Sequence, residues 1–167
     1  MKKLIPMASV ILLATLSSMA FAHEGEKEPG HDDPAAELVK EQMPWGIAAD
    51  PSEATRTIEV SMNDAMRFTP GSITVERGET VRFVVANAGD VMHEFVLGTS
   101  ASNDEHAALM ARFPGMEHDA PYMAHVAPGD TGEIVWTFNT GGEFAFACLI
   151  AGHYQAGMVG DIIVGES

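Results

Sequence analysis

From Arg56 onward, apolar side chains return at every second position. A chain with that period buries them as one face of a β-sheet. Ile58, Val60 and Met62 alternate with Thr57, Glu59 and Ser61, and Ile73 and Val75 alternate with Thr74 and Glu76. Val81, Phe83 and Val85 share one face of the run from Thr80 to Asn87. Turn signals separate these runs at Pro70-Gly71, Arg77-Gly78-Glu79 and Asn87-Ala88-Gly89-Asp90. A further strand is expected from His93 to Leu97, and three more at 132–138, 143–148 and 158–164. One stretch changes period. Over 102–113, Asn103-Asp104 suits a helix start, and Ala107, Leu109, Met110 and Phe113 can share a helical face before Pro114-Gly115 ends it. A loop rich in Met and His then runs to Pro128-Gly129. The expectation is an all-β sandwich spanning 56–167, with one helix-bearing insertion at about 101–128.

The residues before Arg56 read differently. Met1-Lys2-Lys3, an apolar run from Leu4 to Leu16 and the closing Ala20-Phe21-Ala22 have the three parts of a secretory signal peptide, cleaved after Ala22. From His23 to Thr55 the chain is polar and broken by Pro29, Pro34, Pro44 and Pro51, which suggests an extended leader with a short helix at 34–42. Trp45 and Ile47 are expected to dock on the domain. The predicted location is therefore the periplasm, with no membrane insertion after cleavage. The formal charge of −15 argues against nucleic acid as a partner, because both molecules would be acidic.

Export makes the single cysteine conspicuous. One Cys excludes an internal disulfide framework, whereas 11 Met and 7 His leave sulfur and imidazole abundant. Strand parity places Phe144, Phe146 and Cys148 on one face, and His93 with Phe95 and Leu97 on another inward face. Met158 shares its face with Gly160, Ile162 and Val164. In the loop Cys-Leu-Ile-Ala-Gly-His-Tyr-Gln-Ala-Gly-Met, Cys148, His153 and Met158 occupy one inter-strand connection. Singly, each residue is ordinarily a core residue. Together they make the ligand set of a type 1 copper: two imidazoles and a thiolate in a plane, with a weak axial thioether. Zinc makes little use of Met, so copper is the better fit. Nothing near Cys148 supplies the partners of a catalytic nucleophile, and no second well-specified centre points to an enzyme.

With those residues in view, the chain resembles the cupredoxins. The resemblance rests on the Cys-x4-His-x4-Met loop, the His-x-Phe strand and the run Arg67-Phe68-Thr69-Pro70…Ile73-x-Val75…Gly78-Glu79-Thr80-Val81. More narrowly it is similar to the periplasmic copper-tolerance cupredoxins of proteobacteria, through Pro44-Trp45-Gly46-Ile47-Ala48, Asp104–Met110, Phe113–His118 and Ala147–His153. One departure is Ala151, where many cupredoxins carry Pro. The resemblance implies a Greek-key cupredoxin sandwich holding one type 1 copper on His93, Cys148, His153 and Met158. It also implies a role in copper tolerance by binding or redox-cycling copper. The alternative is a soluble one-electron carrier serving a periplasmic redox protein. In either case the expectation is a monomer.

Part of the His and Met surplus lies elsewhere. His106, Met110, Met116, His118, Met123 and His125 are either ligands for additional, weakly bound copper or, for Met110 and Met116, packing for the insertion. His23, with His31 nearby, would offer an amine and a ring to Cu(II) once the leader is cleaved. Met92 has the opposite parity to His93 and is not expected to be a ligand.

Overall fold

The structure is a computed structural model that describes residues 40–116 and 118–166. The signal-like segment, His23, His31 and most of the expected 34–42 helix lie outside the described residues. Gln42, the last residue of that expected helix, is in a strand.

Among the described residues, eleven strands and one α-helix follow in order, with a 3-10 turn at Pro51–Glu53 between the second and third strands: β1 (Gln42–Met43), β2 (Gly46–Ala48), β3 (Arg56–Asn63), β4 (Arg67–Thr69), β5 (Ser72–Glu76), β6 (Thr80–Asn87), β7 (His93–Gly98), α1 (Ser100–Arg112), β8 (Met123–Val126), β9 (Thr131–Thr137), β10 (Gly142–Ala147) and β11 (Val159–Gly165). They form two sheets, ordered β1-β2-β9-β6-β3-β4 and β5-β11-β10-β7-β8. β3 runs parallel to β6 and β5 parallel to β11; the other pairings are antiparallel. The result is a β-sandwich, as the alternating pattern predicts, and of the kind the cupredoxin resemblance implies.

Period-2 burial is visible residue by residue. Ile58, Val60 and Met62 are buried while Arg56, Thr57 and Glu59 face out. Ile73 and Val75 do the same in β5. Between the sheets Phe83, Phe95, Phe138 and Phe146 are completely buried, and their rings meet at tilted or edge-on angles. Phe95 and Phe146 lie 5.0 Å apart between centroids, and Phe68 closes the stack at 5.0 Å from Phe146. Such offset and edge contacts suit the quadrupole of aromatic rings. The Phe146 ring lies directly over Gly160, where a Cβ would collide with it and with the Gly71 carbonyl.

Four short strands depart from the sequence reading. β1 and β2 fall within the expected leader, and they extend the first sheet through pairing of Ile47 and Ala48 with Thr137 and Trp136. Trp45 is buried there, and its carbonyl accepts the Trp136 indole N–H at 3.1 Å. β4 carries only one buried residue, Phe68, and β8 lies inside the expected Met/His loop. All four are too short to show a period, so pairing with a neighbour is what makes them strands.

The helix also differs. It starts at Ser100 rather than near Asn103, because the Thr99 hydroxyl accepts the Ser102 N–H at 3.0 Å and Ser102 Oγ accepts the Thr99 N–H at 2.9 Å. Its buried stripe is Asn103, Ala107 and Met110, at i, i+4 and i+7, while Leu109 and Phe113 are exposed. Ala107 and Met110 join Val96, Met123, Ala147 and Leu149 in a satellite core beneath the helix.

The Phe146–Gly160 contact yields a measurable expectation. Gly160→Ala should lower the stability of the metal-free protein by about 1–3 kcal/mol through overpacking. Urea denaturation reads this, and an unchanged midpoint would contradict the close approach.

Candidate metal centre

Three of the four predicted ligands come together at one end of the sandwich. His93 opens β7, Cys148 stands one residue beyond β10, and Met158 stands one residue before β11. One ligand atom from each of His93, Cys148 and His153 lies within 4.8 Å of the others. Cys148 Sγ is 3.3 Å from His153 Nδ1 and 4.0 Å from His93 Nδ1. The fourth predicted ligand, Met158, is fully buried in the same core cluster as Cys148. Its carbonyl accepts the Cys148 N–H and its own N–H donates to the His153 carbonyl, both at 3.1 Å. Met92 is exposed, as its parity predicts.

The β10–β11 register explains this meeting. Ala147 faces Val159, so the next pair of residues outward is Cys148 and Met158. The intervening loop turns back on itself through His153 N–H to the Ile150 carbonyl at 2.9 Å and Gly157 N–H to the Tyr154 carbonyl at 2.9 Å. Two outside contacts hold it. Arg67 Nη1 donates to the Ala156 carbonyl at 3.1 Å, and Tyr154 Oη donates to Asp104 of α1 at 2.7 Å. These ties constrain a loop that carries Ala151 in place of Pro.

Residues with no motif of their own orient the ligands. Asp64 Oδ1 sits 3.2 Å from His93 Nε2, which leaves Nδ1 directed at the cysteine. The Asp64 carboxylate also accepts the Asp90 N–H at 2.8 Å. That amide, with His93 and the Val91 N–H, holds the carboxyl below its usual range. Gly89 lies against Asp64 so closely that any Cβ would strike the carboxylate. Glu94, next to His93 and buried, donates its N–H to Cys148 Sγ at 3.3 Å and accepts the Leu149 N–H on Oε2 at 3.3 Å. Neither carboxylate carries a signal in the sequence, since strand parity puts Glu94 on the face opposite His93 and Asp64 lies far upstream at the end of another strand.

The electrostatics fit a metal-held sulfur. Burial pushes the Cys148 thiol up to about 12, opposed by the amides of Glu94 and Ile150. Such a thiol is protonated at neutral pH and inert as a nucleophile in water. A bound metal displaces its proton, so loading releases H⁺. His153 is pulled down, by burial and then by the neighbouring His93, which favours the neutral imidazole that ligates. Thiolate, two imidazoles and a buried thioether match copper, and a carboxylate-oriented histidine is a usual feature of metal sites.

The remaining predicted ligands divide. Met110 and Met123 are buried in the satellite core, and Met116 is exposed. His106, His118 and His125 approach one another beside α1. His23 lies outside the described residues.

Comparison with known proteins shows a copper-binding family. Residues 54–165 match the family described as copper binding proteins, plastocyanin/azurin family. The copper-resistant cuproprotein CopI of Rubrivivax gelatinosus is 49% identical over 148 residues, covering 86% of this chain and 90% of the relative. The protein of the same name in Pseudomonas aeruginosa is 34% identical, covering 98% and 97%. Among solved structures, auracyanin B superposes with a TM-score of 0.59 at 23% identity, over 72% of this chain and 96% of that one, a likeness of fold.

Two expectations follow for the centre. Cys148→Ser should abolish the thiolate-to-copper visible absorption of the copper-loaded protein, and a persisting band would refute the ligand assignment. Asp64→Ala should keep that band but weaken copper binding by about 10–100-fold, measured by competition with a chelator, because His93 loses its orienting partner.

Proposed function

Because this chain belongs to the plastocyanin/azurin family of copper binding proteins, we propose that it is an exported, periplasmic type 1 copper protein that confers copper tolerance. It does so by binding copper or cycling its oxidation state. The observation that carries this reading is the convergence of His93, Cys148 and His153 at a buried sulfur, with Met158 beside them. Relatives similar along most of their length are named for copper resistance, which favours tolerance over other uses of the same centre.

Bound copper would supply a one-electron couple. The chain's own residues determine how that couple is held. Asp64 fixes the His93 ring, and the Glu94 amide donates to the sulfur. The core around Phe95, Phe146 and Met158 keeps water from the inner side. His153 is half-buried and forms the route from the centre to the surface. No substrate-transforming step is required of the protein, and a monomer suffices for this role.

One observation favours a second reading, a soluble electron carrier. Val91 and Met92, immediately before the ligand His93, are exposed apolar side chains of the kind found at the contact face of a redox partner.

Gene deletion separates the two. The tolerance reading expects copper-sensitive growth with normal respiration, restored by the wild-type gene and not by Cys148→Ser. A respiratory defect with unchanged copper tolerance would overturn it in favour of the carrier.

A further inference from the structure

The histidines beside α1 have no part in the centre just described, yet they converge from three separate elements. His106 projects from α1, His118 from the segment that follows it, and His125 from β8. His106 Nε2 and His118 Nε2 are 2.6 Å apart, and their ring centroids 4.6 Å. The His125 ring lies 6.1 Å from that of His118, nearly perpendicular to it. We propose that His106, His118 and His125 form a second metal site, which takes a divalent first-row ion and Cu(II) before others.

The N–H···N contact between His106 and His118 engages only one nitrogen of each ring. The 2.6 Å separation is shorter than nitrogen donors usually make. Whichever of the two rings carries the proton, His118 Nδ1 is buried with no partner. A neutral imidazole pair would also gain little from a third imidazole alongside. The two nitrogens face each other with the third ring 6.1 Å away, so a cation takes them once the rings part to flank it.

The surroundings add what a metal site needs. His125 Nε2 is held by Glu94 Oε1 at 3.0 Å, across the β7–β8 pair in which Glu94 faces His125. This carboxylate–imidazole pairing fixes the ring and leaves Nδ1 as the ligating atom. The fully exposed Asp119 carboxylate lies 3.6 Å from that Nδ1 and can contribute an oxygen. Burial, then the neighbouring His118 and His125, holds His106 below its ordinary value, so its imidazole is neutral near pH 7. An open cleft of about 390 Å³, lined by His106, His118, Glu105 and Tyr122 among others, provides the way in.

Donor chemistry selects the ion. Imidazole and carboxylate without thiolate suit Cu(II), Ni(II) and Zn(II), and affinity at such sites peaks at Cu(II). Met110 and Met123 point into the satellite core, so the soft set that would favour Cu(I) is not assembled here. Glu94 touches both places, with its amide on Cys148 Sγ and its carboxylate on His125.

The site stands whether or not the tolerance reading does, and its test uses no growth phenotype. Mature protein is titrated with Cu(II), coppers per chain are counted by native mass spectrometry, and Cu(II) is followed by electron paramagnetic resonance. Against wild type, the double variant His106→Gln/His118→Gln should bind one Cu(II) fewer. It should lose a Cu(II) signal that has no accompanying thiolate absorption, while keeping the Cys148 band. Copper held by the N-terminal residues is common to both proteins and cancels. If the double variant loses the Cys148 band, the single variants His106→Gln and His118→Gln are read instead; each should weaken that equivalent about tenfold or more. Equal stoichiometry and equal affinity in wild type and variants would overturn the site.

Discussion

One backbone hydrogen bond, from Cys148 N–H to the Met158 carbonyl, decides where everything in the metal centre can be. It continues the β10–β11 ladder by one pair and so closes the loop between them. Once closed, the loop presents a thiol and a thioether side chain from adjacent strands, with His153 at its tip. The sheet beneath is close-packed, because Phe146 of β10 occupies the space that Gly160 of β11 leaves open. A packed aromatic core thus positions the sulfur, and the sulfur needs no flexible element to hold it.

Charge is arranged around that sulfur in layers. The thiol itself is buried and protonated in the absence of metal, a consequence of desolvation. Amide dipoles from Glu94 and Ile150 point toward it and prepare it for the thiolate form. Asp64 stands farther out, where solvent and the Asp90 amide keep it ionised, and it acts only through His93. Glu94 extends the arrangement sideways by joining the cysteine loop to the histidines beside α1. Neighbouring residues of one strand, His93 and Glu94, therefore serve two different clusters.

Much of this was legible in the chain. Alternation in the runs that became β3, β5 and β11 marked the inward faces, and the buried residues are those of the predicted parity, whereas β7 is buried on both faces. The inward face of Cys148, His93 and Met158 followed from the same period, because a side chain two residues along must lie on the same side. The helix face was less legible. Leu109 and Phe113 fit the helical period as well as Ala107 and Met110 do, but only contact with the sheet says which side turns inward. β1, β2, β4 and β8 left no pattern, since two to four residues do not define a period.

The sequence by itself determined the strand period, the inward set of ligands and the one sulfur able to become a thiolate. Those properties are local, set by residue type and spacing along a single loop or strand. Tertiary structure alone decided which carboxylates orient the histidines, and that Arg67 and Tyr154 anchor the ligand loop. It also separated His106, His118 and His125, which meet, from Met110 and Met123, which pack under the helix. The reason is physical: these contacts join residues far apart in the chain, and pairing across sheets leaves no trace in the spacing of either partner.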